Sequence, residues 1–595
     1  MSLNHYYQSE LTALRQLGKR FAERNPALAP FLGESGRDPD VERLLEGFAF
    51  LTGRLRQKLD DELPELTHSL MHLLWPNYMR PLPAFGMLQF DPSTDSGSAQ
   101  QVPRHTPVQS EALHGVHCRF QTAFDTEVLP LALNALDYAV TGDGAVLSLH
   151  LKLGSNGHLG EMNLTRLRLH LAGERYISQQ LYLSLLQHLD TIQLQLLDGD
   201  GIALKDSNGN TYISVLKPEH VKPVGFAENE ALVPYPLNTF RGYRHLQEYF
   251  AFPEKFLFVD MNGLEVLKRH PENIIKQARG LELRFNFRGA SAQRIQPSLD
   301  NVRLYCTPIV NLFTDDAAPI RLDGKQDRYR VLPGTQDPQH HGVFSVDKVI
   351  GWKPGTTGYT EYLLFESFEH DDSQDGRRDR PHYSVRQEPS MTGDRLDTYL
   401  CFGQRDTTQH ETISIEMTCT NQDLPKQLGE GSVCLPCVGT PASLSFRNIG
   451  LITPSYSPPL HRDFLWKLIS NMSLNYLSLA NVEALKVILE TYDLPRYYDK
   501  HAEKVSRKLM AGLKNIRHEP TDRLYRGLPV RGVRTQLTID AQGYRGEGEL
   551  YLFASVLNEF FALYASLNSF HQLHVHSTQG EDYVWTPRMG QQPLL

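Results

Sequence analysis

The feature that most constrains this chain is a change in apolar period along its length. Over the first 75 or so residues apolar side chains recur every three or four positions, from Phe85 to about residue 455 every second position, and near Leu460 the longer period returns. Spacings of three and four put side chains on one helix face, whereas a spacing of two puts them on one side of a strand. A chain with these three regimes is expected to fold as an α+β multidomain protein. The expected division is a helical N-terminal region at 1–80, a β-rich domain with an embedded helix at 81–300, a second β-rich domain at 301–455 and a C-terminal α/β domain at 456–595. The length of 595 residues fits such a division at roughly 150 residues per domain.

In the N-terminal region Tyr7, Leu11, Leu14 and Phe21 share one helix face, with Gly18 in the seam between them. A second helix opens at Asp38-Pro39-Asp40, where Asp38 can cap, Pro39 suits the first helical position, and Asp40 and Glu42 complement the positive end of the dipole. Its apolar residues are Val41, Leu44, Leu45, Phe48, Leu51, Leu55 and Leu59. Pro64 ends or kinks it, and Leu66, Leu70, Leu73 and Leu74 continue in a third segment. Such stripes must be covered. Either they pack on each other and on the β-rich body, or the face of Tyr7, Leu11, Leu14 and Phe21 packs into a bundle with another subunit.

Through the middle of the chain, Leu167, Leu169 and Leu171 alternate with Arg166, Arg168 and His170, and Val146–Leu153 and Leu281–Phe287 behave alike. The turns Asp198-Gly199-Asp200-Gly201 and Ser207-Asn208-Gly209-Asn210 separate such runs, and one amphipathic helix is expected around 176–189. Residues 369–382 carry Asp371, Asp372, Asp375, Asp379, Arg377, Arg378 and Arg380 with almost nothing apolar, which reads as a mobile, solvated loop or hairpin tip. Towards the end, Phe464, Leu465, Leu468, Ile469 and Met472 form a buried helix face, and Asn481 caps a helix running to about Tyr492. A strand around 533–539, an apolar helix at 550–567 and a strand near 571–576 then make a small α/β unit.

Composition narrows the function by exclusion. Lys and Arg number 60 against 69 Asp and Glu, a net charge of −9 spread along the chain. That balance marks neither a nucleic-acid footprint nor a polybasic membrane anchor. The opening residues show no secretory signal, no apolar run reaches the roughly 18 residues of a membrane span, and six scattered cysteines make no disulfide framework, so the expected place is the cytoplasm.

Candidate chemistry fails one motif at a time. Cys434-Leu435-Pro436-Cys437 lacks the second pair of a zinc site and the helix N-terminus of a redox dithiol, so these are expected to be buried structural thiols in a loop or strand. His571, His574 and His576 fall in one strand, with 574 and 576 on one face, short of a third metal ligand; His340-His341 reads as a polar turn. Asp206, Asn208 and Asn210 imitate a calcium loop, but Thr211 stands where Gly is needed and Lys217 where a bidentate Glu is needed. No phosphate loop, nucleophile elbow or zincin helix is present. No catalytic, cofactor-binding or metal-binding set emerges. An alternative from another class is a β-rich carbohydrate-active enzyme or binding module, which needs a cleft with two carboxylates or an exposed aromatic platform.

Several blocks, read together, resemble the TssF family (also called VasA or ImpG) of type VI secretion system baseplate subunits. They are Tyr6-Tyr7-Gln8-Ser9-Glu10-Leu11, the stretch from Asp38 to Leu51, Leu73-Leu74-Trp75-Pro76-Asn77-Tyr78 and Cys306-Thr307-Pro308-Ile309-Val310-Asn311-Leu312-Phe313. Further blocks are Cys419-Thr420-Asn421-Gln422-Asp423-Leu424-Pro425, Trp466 to Tyr476, Ser566-Leu567-Asn568-Ser569-Phe570 and Trp585-Thr586-Pro587-Arg588-Met589-Gly590. The resemblance implies a structural, non-enzymatic subunit similar to the wedge proteins of contractile phage baseplates. Two copies would join one TssG-like subunit, with TssE-like and TssK-like proteins, around a VgrG spike beneath an Hcp tube. That platform would stand in the cytoplasm and dock on a membrane complex, where it primes tube and sheath assembly and contraction.

Overall fold

The computed structural model describes residues 7–8, 11–12, 14, 17, 39–60, 71, 75–92, 97–235, 243–289, 295–322, 326–334, 338–353, 358–365, 381–390, 396–402, 411–441, 443–459, 464, 468, 470, 481–525 and 527–590. Phe21, Asp38, the third helical segment at 66–74 apart from Met71, Leu465, Ile469, Met472 and nearly all of the charged stretch at 369–382 lie outside them. The chain divides into two units. One holds residues 1–74 and 459–472, and the other holds 75–458 and 473–595.

In the first unit the described residues are helical, Pro459 apart. Helix α1 (Pro39–Asp60) begins on its proline, whose missing N–H costs nothing at a helix start. Among its described residues, the buried apolar ones are Leu11, Ala49, Met71, Phe464 and Leu468. Phe464 and Leu468 are thus inside, as their spacing predicts.

The second unit is built on sheets that join distant parts of the chain. A six-stranded sheet runs Val433–Pro436, Pro107–Leu113, Val116–Thr122, Cys306–Val310, Phe85–Phe90 and Phe446–Asn448. It draws strands from both sides of the division at residue 300. The sheet curls until its edges meet: Gly431 donates to the Asn448 carbonyl (3.0 Å), and Val433 N–H donates to the Asn448 side chain (2.8 Å). Cys306–Val310 is buried at every position. A five-stranded sheet contains Gly144–Leu153 and Gly280–Arg288, paired antiparallel along their whole length. A four-stranded sheet contains Arg166–Leu171, and an eight-stranded sheet spans residues 313–420. The alternation at 166–171 predicts one wet face, yet His170 is buried too, hydrogen-bonded to Leu257 O and packed on Phe258.

The helix expected at 176–189 is Arg175–Leu183, which widens into a π-turn at Ser184–His188. Asn481 caps Val482–Tyr492 by accepting from Glu483 N–H (3.0 Å). At the C-terminal end, strands β1 (Leu513–Tyr525) and β2 (Leu528–Ile539) form a hairpin. Helix α2 (Glu547–Ala562) then crosses over to strand β3 (Phe570–Ser577), which pairs parallel to β2. Parallel neighbours need such a crossover, so the strand, helix, strand order in the sequence becomes a βαβ unit. Gly548 lets α2 close on the helix Arg175–Leu183: a Cβ there would stand 2.4 Å from Gln179 O. Trp585 and Arg588 fasten the tail to α2. Trp585 stacks on Tyr551 (5.2 Å, 18°), and the Arg588 guanidinium pairs with Glu559.

An aromatic knot ties the body together. Tyr243 stacks on Tyr492 (4.4 Å, 14°), meets Trp75 edge-on (5.4 Å) and shares a hydroxyl contact with Tyr564, while Tyr78 packs edge-on against Tyr492 (5.2 Å). Four chain segments meet there. Each such ring pair adds about 0.5–1.5 kcal/mol beyond its area.

Candidate subunit interface

In the helical unit the first helix carries Tyr7 and Leu14 half-buried and Leu11 buried, and Phe21 lies outside the described residues. The structure therefore covers the centre of that stripe within the chain itself. Helix α1 is different. Leu45, Ala49 and Gly53 form its inward line, with Ala49 fully buried. Leu44 is 73% exposed, Phe48 56% and Leu51 61%. At about 100° per residue these three make a second line, roughly a third of a circumference from the first. The single stripe expected of α1 is divided among its described side chains, with Leu45, Ala49 and Gly53 inward and Leu44, Phe48 and Leu51 outward; the side chains of Val41, Leu55 and Leu59 lie outside the described ones. Ala49 and Gly53 are buried, while the larger Leu44, Phe48 and Leu51 face water. Leu44, Phe48 and Leu51 thus form an exposed apolar seam along α1.

In the body, two chain crossings join the six-stranded sheet to the eight-stranded one, at Asn311-Leu312 and at Asn421-Gln422. Asn311 and Asn421 are fully buried and bond reciprocally. Asn311 Nδ2 donates to Asn421 Oδ1 (2.8 Å), and Asn421 N–H donates to Asn311 Oδ1 (2.7 Å). Both also hold the Arg119 backbone: Asn311 Nδ2 donates to its carbonyl (2.7 Å), and its N–H donates to Asn421 Oδ1 (3.0 Å). Gln422, at φ 51°, donates to His341 O (3.0 Å). Buried amides must be paired, so this clamp sets the angle between the two sheets. The sequence blocks around 306–313 and 419–425 contain it, but nothing in their spacing shows that they meet.

Beside the clamp lies a cleft of about 990 Å³, lined by His105, Gln109, Arg119, Gln121, Thr314 and Thr418 among others, with no Asp or Glu. The carbohydrate alternative asks for a carboxylate pair or an aromatic platform. The cleft supplies no such pair. An exposed aromatic pair exists elsewhere: Trp352 directly opposite Tyr359 on neighbouring strands.

The remaining sequence candidates fall as follows. Cys434 lies in the strand Val433–Pro436 and Cys437 just after it, both half-buried rather than buried. Their thiols are raised above the ordinary value, chiefly by desolvation, which makes them poorer nucleophiles. His571 is buried and pushed down to about 3 by desolvation; its Nε2 meets Thr535 Oγ1 (2.8 Å), which also meets His518 (2.8 Å). His576 faces Asp582 across the sheet edge. Asp206 accepts from the N–H groups of Asn208 and Asn210 (2.8 Å each), an Asx turn at a hairpin tip. Pro338–His340 is a helical turn. Among the described residues, no group of three or more His, Cys, Asp and Glu is placed to hold a metal ion, and no helix is long and apolar enough to cross a membrane.

These features define a multi-sheet protein that carries an exposed apolar seam on α1 and a buried amide clamp between two of its sheets. The family described as "Type VI secretion system, TssF" matches residues 1–592. The chain is 29% identical to the type VI secretion system component TssF1 of Pseudomonas aeruginosa, covering 100% of this chain and 99% of that protein. Among solved structures it is similar to a chain of the type VI secretion system TssK-TssF-TssG baseplate subcomplex, with 30% identity, a TM-score of 0.75 and coverage of 93% of this chain and 99% of that one. A chain of the type VI secretion system baseplate complex matches at 27% identity and a TM-score of 0.64 over the full length of both. The chain belongs to the TssF family, and its role is that of a structural baseplate component.

Proposed function

We propose that this chain is the wedge subunit through which a type VI baseplate is held together, and that it works by buried contact without catalytic turnover. The observation that carries the reading is the open seam of Leu44, Phe48 and Leu51 on α1 in a member of a family whose relative is found with TssK and TssG. The seam is suited to a helix from a TssG-like subunit. Two copies of this chain would share one such partner, joined by TssK-like and TssE-like subunits around a VgrG spike and beneath an Hcp tube. The assembled platform would stand in the cytoplasm against the inner-membrane face and dock on the membrane complex indirectly. The stripe of Tyr7, Leu11, Leu14 and Phe21 enters the same reading as part of the helical unit that presents the seam, with Leu11 acting from inside it.

Native mass spectrometry of this chain co-expressed with its TssG-like neighbour tests the reading. A two-to-one complex is expected, lost in Phe48→Asp while the variant stays folded. Leu11→Asp with Leu14→Asp should instead disorder the helical unit itself. A monodisperse monomer indifferent to that neighbour would sink the proposal.

A further inference from the structure

The β1–β2 hairpin extends beyond the core that supports it. Its strands pair from Leu513 with Ile539 to Tyr525 with Leu528. Only the base is covered, by Ile516, Leu537 and Ile539 packed inside. Towards the tip Arg523 and Arg531 are exposed, and Leu524 and Leu528 are 73% and 69% exposed. Register puts Leu524 beside Pro529 on one face and Leu528 on the other, so the tip is apolar on both sides. A two-stranded ribbon of this kind is marginal in water on its own.

Charge distinguishes the arm further. From Leu513 to Arg534 it carries Lys514, Arg517, Arg523, Arg526, Arg531 and Arg534 against Glu519 and Asp522, a local +4 in a chain of −9. Lys514 pairs with Asp540 (3.5 Å), whereas Arg517, Arg523, Arg531 and Arg534 form no ion pair among the described residues. Strand β1 is also the edge of its sheet, so its outer row of N–H and C=O groups has no strand beside it among the described residues.

We propose that the outer half of this hairpin is a docking arm that inserts into an acidic surface on another protein chain of the assembly and pairs with it along the free edge of β1. The proposal rests on the subunit reading above. Unmatched guanidinium groups select carboxylates, and the two-faced apolar tip fits a slot rather than a flat face. A protein partner is favoured over a lipid surface because a strand can pair with the open edge, whereas hydrocarbon leaves those backbone groups unsatisfied.

The test uses baseplate particles purified through this chain, carrying the photo-crosslinker p-benzoyl-phenylalanine as Leu528→p-benzoyl-phenylalanine. The expected crosslink is to an Asp- and Glu-rich stretch of another chain. Its yield should fall at least tenfold when Arg523→Glu and Arg531→Glu are added and persist with Arg523→Lys and Arg531→Lys. Circular dichroism of each variant checks the fold. Crosslinks confined to this chain, to a neutral or basic segment or to lipid would overturn the arm, as would an unchanged yield after charge reversal. If the unsubstituted chain joins no particle, the subunit reading fails and the arm with it; an intact particle without the crosslink removes the arm alone.

Discussion

Helices α1 and α2 are both rich in large apolar residues, and the structure treats them in opposite ways. In α2, Leu550 to Phe561 are buried without interruption, between the helix Arg175–Leu183 on one side and strand β3 on another. In α1 the inward line is a half-buried Leu45 with the small, buried Ala49 and Gly53, and Leu44, Phe48 and Leu51 face outward. The difference teaches that apolar content marks a helix for burial but does not say by what. A helix surrounded by its own chain is finished on folding. A helix with one covered line keeps the other available for a partner.

The largest expected effect pits the two helices against each other. Phe553→Ala in α2 should cost about 3–5 kcal/mol of stability, because it opens a cavity at a fully buried position. Denaturant unfolding of both variants checks this against Phe48→Ala, and equal losses would break the comparison. The second test asks whether the body's interior is as fixed as α2 implies. Asn311→Ala strips the partner from Asn421 and from the Arg119 carbonyl, and should cost about 2–3 kcal/mol. A double-mutant cycle with Asn421→Ala should show that the two losses do not add.

A smaller effect comes from pH. Burial pushes the Asp493 carboxyl up to about 6, at the end of the helix Val482–Tyr492. A carboxyl raised in the fold favours protonation there, so its contribution is complete below about pH 4 and is lost as pH rises through 6. Asp493→Asn should therefore stabilise the protein by about 1–2 kcal/mol at pH 7.5, and the gain should vanish by about pH 4; thermal melts at both values check it. The smallest effect is the most telling for α1. Phe48→Ala should change stability by no more than about 0.5 kcal/mol while weakening partner capture, since its side chain already meets water.

The outline of both regions was legible in the residues. Pro39 marks the start of α1, and α1 begins there; Asn481 marks the start of its helix and caps it through Glu483. The strand, helix and strand at the C-terminal end were read from period alone. What failed was the direction each face would point. Period three to four places Leu44, Leu45 and Phe48 within one broad stripe, but in the structure Leu45 lies inward with Ala49 and Gly53 while Leu44 and Phe48 face water. Cys434 and Cys437 are expected inside and stand half-open, because successive strand side chains point to opposite faces and Val433 takes the buried one, while Cys437 lies just past the strand.

The residue order alone determined local geometry: where helices start, where turns reverse the chain, and where apolar side chains alternate. Those outcomes depend on backbone dihedrals and on neighbours three or four positions away, so a short window contains their causes. Only the tertiary structure decided that Asn311 would face Asn421 across 110 residues, that Tyr243 would stack on Tyr492, and that one line of α1 would stay open. Such contacts depend on how whole sheets and helices come to rest against one another, and no short stretch of sequence carries that information.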